Sequence, residues 1–342
     1  MRILVLHAWL KGNLGDVLQL SVLLSALRRE LSPTRLDLAG YPPRPAPETG
    51  EVLGLADRYL PDTFPWYWTL APAPAARVVF EPWWRKRRRA LFSRYDALVC
   101  APGPYLADYD LRARSALSDI TIASELDVPI ALSSHSIGPL TAAGLEAVGK
   151  ATMRIAREAA THRYLQERRV SSVLAADLAF LYPYAPAEPG GRGSRRVVFL
   201  RSNNLEDRKI RLDRNGALLH GSEMIVNPST DPLVLATSDY RRDGPFLSRL
   251  ARRLGVAYTA CRSVQEMVDL VAGASVVVCD RYHPAICAAT LGRPFTVIEN
   301  REPHKMRGLQ TLLADRPLGE LQDLARDGLR VLVDGLRGHA HA

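Results

Sequence analysis

The residues best suited to chemistry lie in the run Ser275-Val-Val-Val-Cys-Asp-Arg-Tyr-His-Pro284. An apolar strand ends there in Asp280-Arg-Tyr-His283, and a helix rich in small residues follows at once. Arg281 and His283 thus stand at a strand terminus beside a helix N-terminus, where free backbone N–H groups and the helix dipole attract anions. Pro284 suits a first helical turn, where its missing N–H costs nothing. The pair offers a permanently charged fork donor and a titratable proton carrier. Its bland alternative is a capping arginine with a satisfied histidine. Arg201 follows an apolar strand over residues 197–200, and Lys305 sits in a polar loop after a later strand. Arg201, Arg281 and Lys305 together would make a cationic cradle for a phosphate and a carboxylate.

A second group lies near the start. Asn13, Gly15 and Asp16 belong to a glycine-containing turn between a short apolar strand, residues 2–6, and a helix over residues 17–31. The turn is neither a dinucleotide fingerprint nor a Walker A loop. Asp16 reads either as the N-cap of the helix or as a carboxylate facing a cleft as general base. Gly103 and Gly138 fall in two further turns after strands, Pro102-Gly-Pro104 and Ser136-Ile-Gly-Pro139.

The elements that must hold these turns alternate strand and helix. Strands are expected over residues 36–39, 96–101 and 129–133, with helices over 115–126 and 142–160. Proline and aromatics crowd residues 41–82, which read as an irregular excursion around a few short helical pieces. A linker rich in Pro, Gly and Ser covers residues 183–196. A second cycle of strands (196–200, 232–237, 257–259, 275–279, 294–298) and helices (245–254, 264–272, 283–291, 306–313) follows. The expectation is an α/β protein with two Rossmann-like domains facing across a cleft, a GT-B-like architecture. Residues 1–182 would form the acceptor-side domain and 197–318 the donor domain, with a C-terminal helix and tail over 319–342.

Composition sets outer limits. The 342 residues include 47% hydrophobic and 24% charged side chains, an ordinary globular balance. The four cysteines show no CxxC spacing and sit in apolar surroundings, so they read as small buried hydrophobes in a reducing cytoplasm. No metal is expected. No apolar run is long enough to span a bilayer. Net charge +9 favours anionic partners without choosing among them.

In their order along the chain, the Asn13–Asp16 turn, Pro102-Gly-Pro-Tyr-Leu106, Ser136-Ile-Gly-Pro139, Asp177-Leu-Ala-Phe180, Arg201, Arg281-Tyr-His283 and the Lys305 loop resemble the polysaccharide pyruvyl transferases, over about residues 1–315. The resemblance implies a GT-B-like fold and transfer of pyruvate from phosphoenolpyruvate onto two sugar hydroxyls as a ketal. It implies that Arg201, Arg281 and His283 hold phosphoenolpyruvate, that His283 acts as acid, and that no other cofactor is needed. Asn13, Gly15, Gly103 and Gly138 join the substrate-binding set, and Asp16 would accept a proton from the acceptor hydroxyl. Three departures stand out: Cys279 where the family commonly has serine, Pro284 where it commonly has glycine, and a first-half glycine cluster reduced to Pro102-Gly103-Pro104. The donor site is therefore expected to be kept and the acceptor pocket to differ. The acceptor would be a sugar, a glycan or a lipid-linked glycan.

Two other classes stay open: a glycosyltransferase using a nucleotide sugar, and a basic nucleic-acid-binding protein. The first lacks a clear ribose-binding carboxylate, and the second lacks a recognition motif. Trp83-Trp-Arg-Lys-Arg-Arg-Arg89 has two readings worth testing. It is either a partly solvated helix with docked tryptophans or a peripheral contact with the inner membrane face.

Overall fold

Arg2–Trp9 forms the first strand, β1, and its residues Ile3–Leu6 are fully buried, as a strand covered on both faces requires. The computed structural model describes residues 1–61, 74–186, 195–202, 210–212, 217–220, 223–226, 232–298 and 303–340. The chain divides into two compact units. The first holds Met1–Lys11, Gln19–Leu181 and Gln322–Ala342; the second holds Gly12–Leu18 and Tyr182–Leu321. The sequence expectation placed boundaries at residues 182–197 and 318–319; by contacts, the short Gly12–Leu18 stretch groups with the second unit and Gln322–Ala342 with the first.

The first unit carries helices α1 (Leu14–Leu31, its first turn in the second unit), α2 (Gly50–Gly54), α3 (Pro74–Phe92), α4 (Leu111–Glu125), α5 (Ala142–Gly149) and α6 (Ala159–Gln166). Its strands are β1, β2 (Arg35–Tyr41), β3 (Arg58–Pro61), β4 (Ala97–Cys100), β5 (Gly103–Leu106), β6 (Ile130–Ile137), β7 (Met153–Ala156) and β8 (Val173–Leu174). They form one sheet in the order β3-β2-β1-β4-β6-β7-β8, with β5 paired to β6, and every pairing is parallel. The order reverses direction between β1 and β4, which makes that edge the topological switch point.

The single helix expected over residues 142–160 is a helix, a strand and a second helix. Thr141 caps α5 by accepting from Gly144 N–H, and the helix ends at Gly149. Met153–Ala156 then pairs with β6 as β7. Apolar residues in that strand happen to continue the helical spacing, so periodicity alone could not separate the two. Residues 41–61 of the expected irregular excursion hold α2 and β3, while 62–73 lie outside the described residues. So do residues 187–194 of the expected linker.

The second unit is built on β9 (Arg195–Phe199), β13 (Leu233–Thr237), β14 (Ala257–Ala260), β15 (Ala274–Cys279) and β16 (Phe295–Val297), between which lie β10 (Ile210–Leu212), β11 (Leu218–His220) and β12 (Glu223–Val226). The five form a parallel sheet in the order β14-β13-β9-β15-β16; β10-β11-β12 is a separate antiparallel sheet that the sequence pattern did not reveal. Helices α7 (Tyr240–Leu254), α8 (Val264–Ala272), α9 (Tyr282–Thr290) and α10 (Pro303–Asp315) complete it. Val198, Leu200, Leu235, Leu247, Val278 and Ile298 meet in its core. Here too the strand order reverses, between β9 and β15. The last helix, α11 (Leu318–Ala340), packs on the first unit at Gly335, where an added Cβ would stand 2.0 Å from Met153 Sδ. All four cysteines are free and buried, as the sequence suggested.

Candidate functional site

In the second unit the switch point is formed by the carboxyl ends of β9 and β15, where open α/β sheets bind their ligands. Arg201 leaves β9 there and Arg281 leaves β15. Asp280 is fully buried, and its Oδ2 accepts the Arg201 N–H at 2.9 Å, which ties the two strand ends together. Arg281 occupies the N-cap position of α9 without a side-chain capping bond, leaving its guanidinium for other work. That guanidinium is buried; it forms an ion pair with fully buried Asp243 and lies 3.9 Å from Asp239 Oδ2. Its Nε has no hydrogen-bond partner among the described residues. Burial, and then repulsion from Arg201, lower its proton affinity, against the attraction of Asp239 and Asp16. A buried cation partly repelled by a second cation is a site short of negative charge.

Asp243 is itself over-determined. Its Oδ1 accepts from Ser202 N–H and Oγ, both at 3.1 Å, and its Oδ2 from Thr237 Oγ1 at 3.5 Å. It lies on α7, whose N-cap is Asp239, accepting from Arg242 N–H. Helix α7 begins five residues earlier than the sequence pattern indicated because this cap lies upstream of Pro245.

The stretch Gly12–Leu18 joins this unit through backbone. Leu14 N–H donates to Ser238 O at 2.8 Å, and Asn13 bridges Asp239 in antiparallel fashion. Asn13, rather than Asp16, caps α1: its Oδ1 accepts from Gly15 N–H at 3.3 Å, and its Nδ2 donates to Asp16 Oδ2 at 2.8 Å. Gly15 lies directly on the His283 imidazole; a Cβ built there would be 1.9 Å from Nδ1. His283 is buried in the first turn of α9, its ring edge-on to Tyr282 with centroids 5.4 Å apart. Asn13, Gly15, Asp16, Arg201, Arg281 and His283 thus belong to one unit. Lys305 falls on α10 of the same unit, with its side chain outside the described residues.

Gly103 and Gly138 belong to the first unit instead. Gly103 opens β5 opposite His135, and Gly138 N–H donates to Leu106 O at 2.9 Å. The segments Ser136–Pro139 and Asp177–Phe180 are joined by Arg157, whose fully buried guanidinium donates to Ser136 Oγ at 2.6 Å and to Asp177 Oδ2 at 2.9 Å. Arg157 thus ties these two motif segments to each other inside the first unit.

Near them lies a cluster that the sequence reading did not single out. His7 Nε2 stands 3.2 Å from Asp119 Oδ2, and Arg88 grips the same buried carboxylate with two donors. Tyr105 OH donates to Ala101 O at 2.8 Å and meets His135 Nε2 at 2.9 Å. Burial first, then the positive charge of Arg157 and the nearby His7 ring, push His135 down to about 3. His135 is thus neutral when folded, whereas an unfolded histidine takes up a proton near pH 6.5. Between those values the unfolded chain binds more protons, so stability is complete above about pH 6.5 and falls as pH drops. The slope from this one group is at most about 1.4 kcal/mol per pH unit. Urea midpoints at pH 7.5 and pH 5 should show the loss, and His135→Gln should flatten it; an unchanged pH dependence in the variant would remove His135 as its source.

The basic stretch is partly spent on structure. Trp84 is buried and Arg88 pairs with Asp119, while Arg85 and Arg89 share Glu125. Trp83 is 52% exposed, with Arg87 over its ring, and Lys86 is exposed beside them. Of the two tryptophans expected to dock, one does. Among the described residues no helix is long and apolar enough to cross a membrane.

The fold has close counterparts among solved structures. A UDP-N-acetylglucosamine 2-epimerase from Listeria monocytogenes, described as putative, aligns over 99% of this chain and 96% of its own, with 9% identity and a TM-score of 0.58. The S. aureus MnaA-UDP co-structure aligns over 100% and 97%, with 10% identity and a TM-score of 0.58. The Methanocaldococcus jannaschii UDP-GlcNAc 2-epimerase in complex with UDP-GlcNAc and UDP aligns over 97% and 99%, with 11% identity and a TM-score of 0.57. At such identities the likeness establishes the GT-B-like fold of two Rossmann-like domains and nothing of the chemistry. No curated protein matches the chain. The profile described as Polysaccharide pyruvyl transferase matches residues 13–302, from the Asn13 turn to beyond His283, and the chain therefore belongs to that family.

Proposed function

We propose that the protein transfers pyruvate from phosphoenolpyruvate to two hydroxyls of a sugar or glycan, forming a ketal and releasing phosphate. The observation that carries this reading is the Arg281 guanidinium, buried, unpartnered at Nε and set at the N-terminus of α9 beside His283. Phosphoenolpyruvate presents a carboxylate and a phosphate, and Arg281 and Arg201 are fork donors suited to both. In the imidazolium form His283 would give its proton to the enol methylene, turning it into a methyl group and leaving C2 open to an acceptor oxygen. A second hydroxyl would then displace phosphate from C2. The arginines would stabilise the charge that gathers on the departing phosphate. Asp16 neighbours this site and reaches Arg281 electrostatically, which supports a proton-accepting or orienting role there.

The test is incubation with phosphoenolpyruvate and a panel of glycosides, following inorganic phosphate and a mass gain of pyruvate less water. Wild type should yield both, and His283→Ala or Arg201→Ala should yield neither while remaining folded. UDP or GDP release from a nucleotide sugar would replace this reading with glycosyl transfer. Wild-type rates in His283→Ala would take that residue out of the mechanism.

A further inference from the structure

Arginines gather where adjacent strands of the first unit begin. Arg2 opens β1, Arg35 opens β2 and Arg58 opens β3, while Arg94 lies just before β4. These strands neighbour one another in the order β3-β2-β1-β4 and run parallel, so their amino ends share one edge of the sheet. Neighbouring strands stand about 4.8 Å apart, well within the reach of an arginine side chain. The register tightens the group. Arg2 is the Cα partner of Arg35, and Asp37, on the same face of β2 as Arg35, is the partner of Arg58. A cavity of about 260 Å³ opens here, lined by Arg2, Arg35, Arg58, Arg94 and Tyr95. All five residues belong to the first unit, at the end of its strands away from its own switch point.

The carboxylates at hand do not balance this charge. Asp96 Oδ1 accepts from Arg2 Nη2 at 2.7 Å. Asp37 is fully buried, and its Oδ2 accepts from Arg35 Nε at 2.8 Å, from Arg58 Nη2 at 3.4 Å and from the Tyr95 hydroxyl. Burial first, then Asp37, push the Tyr95 phenol up to about 12, so it stays a donor to that carboxylate. Asp57 also attracts Arg35, but Arg28 already holds it at 2.5 Å. The exposed Arg94 side chain has no hydrogen bond or ion pair among the described residues. Four guanidiniums thus meet the carboxylates of Asp37 and Asp96, which leaves an excess of two positive charges at the cavity. The side chains of Arg2, Arg35 and Arg58 are 49%, 43% and 51% exposed, so a ligand can reach them from solvent. Like charges gathered in one hollow repel each other, and a bound anion relieves that repulsion.

We propose that this cavity is a binding site for a phosphate group of two or more negative charges, carried by a soluble ligand or by a lipid headgroup. The charge of such a group matches the excess of two. Its oxygens suit the guanidinium fork, which binds phosphate through paired N–H donors. A guanidinium carries five N–H donors, and the bonds to Asp37 and Asp96 occupy only some of those on Arg2, Arg35 and Arg58. Arg94 brings its whole fork. The cavity is smaller than the roughly 300–1,000 Å³ that enclose a whole drug-sized ligand. It therefore holds the phosphate end alone, and the remainder of the ligand stays outside. Neither Arg201 nor Arg281 takes part, since both belong to the second unit.

The test titrates inorganic pyrophosphate into the full-length protein by calorimetry. Arg94→Glu should weaken binding at the cavity by on the order of tenfold or more, the worth of a lost charge-assisted bond. Arg163→Glu makes the same change of net charge at an exposed position of α6 and should stay within about twofold of wild type, because salt screens a distant exposed charge. Both variants should melt near wild type, since neither side chain has a partner among the described residues. Arg58→Gln, which leaves Arg35 on Asp37, should weaken binding as well. Any pyrophosphate that also binds at Arg281 gives a separate event, which Arg94→Glu leaves in place. Sedimentation with phosphatidylcholine vesicles, with and without phosphatidic acid, separates the two sources. Retention on phosphatidic acid that is lost in Arg94→Glu and kept in Arg163→Glu assigns the site to a headgroup; pyrophosphate binding without retention assigns it to a soluble ligand. Equal affinity for pyrophosphate in Arg94→Glu and Arg163→Glu overturns the proposal, as does a wild-type protein that binds neither probe.

Discussion

Gly15→Ala is expected to lower turnover with phosphoenolpyruvate by about a hundredfold while leaving the fold in place. An added Cβ would lie 1.9 Å from His283 Nδ1, 2.5 Å from Cε1 and 2.6 Å from Cγ, so something must move. The turn is the stiffer partner. Leu14 donates to Ser238, Asn13 bridges Asp239, and Asn13 bonds both Gly15 N–H and the Asp16 carboxylate. His283 can rotate about two side-chain torsions, so the imidazole gives way. A proton donor displaced by about an ångström loses roughly two orders of magnitude in rate. Stability responds differently, because alanine in a helical turn is favoured over glycine by about 1 kcal/mol, which offsets part of the strain. The expected signature is therefore a large fall in kcat with a small change in melting temperature. It is read by phosphate release at saturating donor together with thermal melts. An alanine variant within about threefold of wild-type kcat would show that the imidazole position does not matter.

That prediction rests on a relation that no sequence pattern contains. Asn13, Gly15 and Asp16 read as the first strand-to-helix turn, which they are, and local signals alone assign them to the first unit. Their partners Ser238, Asp239 and His283 lie more than two hundred residues away, and only the folded chain shows that the turn packs in the second unit. Arg201, Arg281 and His283 were legible because strand-end position depends on local hydrophobic pattern, and strand ends at a switch point follow from the α/β alternation. His7 was not legible. It marks the end of an apolar run, and the run continues to Trp9 only because a bulge lets the strand resume pairing with β2. Its partner Asp119 sits in a helix where a lone acidic residue reads as surface. Arg88 was hidden in the same way, inside a basic run whose sequence looks solvated although this side chain is buried. Charges buried through tertiary pairing are invisible to patterning, since the pattern of a polar residue is the same whichever way it faces.

Arg281 and Asp243 allow the donor site to be separated from the fold that carries it. Arg281→Ala strands a fully buried carboxylate, and removing one partner of a buried pair costs on the order of 3–5 kcal/mol. Loss of activity in that variant would on its own say little about binding. Asp243→Asn is the informative counterpart. Asparagine keeps the acceptor for Ser202 N–H and Oγ, but removes the carboxylate that pairs directly with the Arg281 guanidinium, leaving Asp239, 3.9 Å away, and the longer-range attraction of Asp16. A buried cation so exposed should recruit an anion more avidly than in wild type. The melting temperature of Asp243→Asn should fall in plain buffer, then rise on adding millimolar phosphoenolpyruvate by more than wild type does, because a ligand stabilises by RT ln(1 + [L]/Kd). Arg281→Ala should fall as far and show no such recovery. Recovery in Arg281→Ala equal to wild type would mean that phosphoenolpyruvate binds elsewhere, and absence of recovery in Asp243→Asn would mean that Arg281 serves the fold alone. Opposite ligand responses from two variants of equal instability cannot come from a general weakening of the unit, so they isolate the charge on Arg281 as the feature that binds the donor.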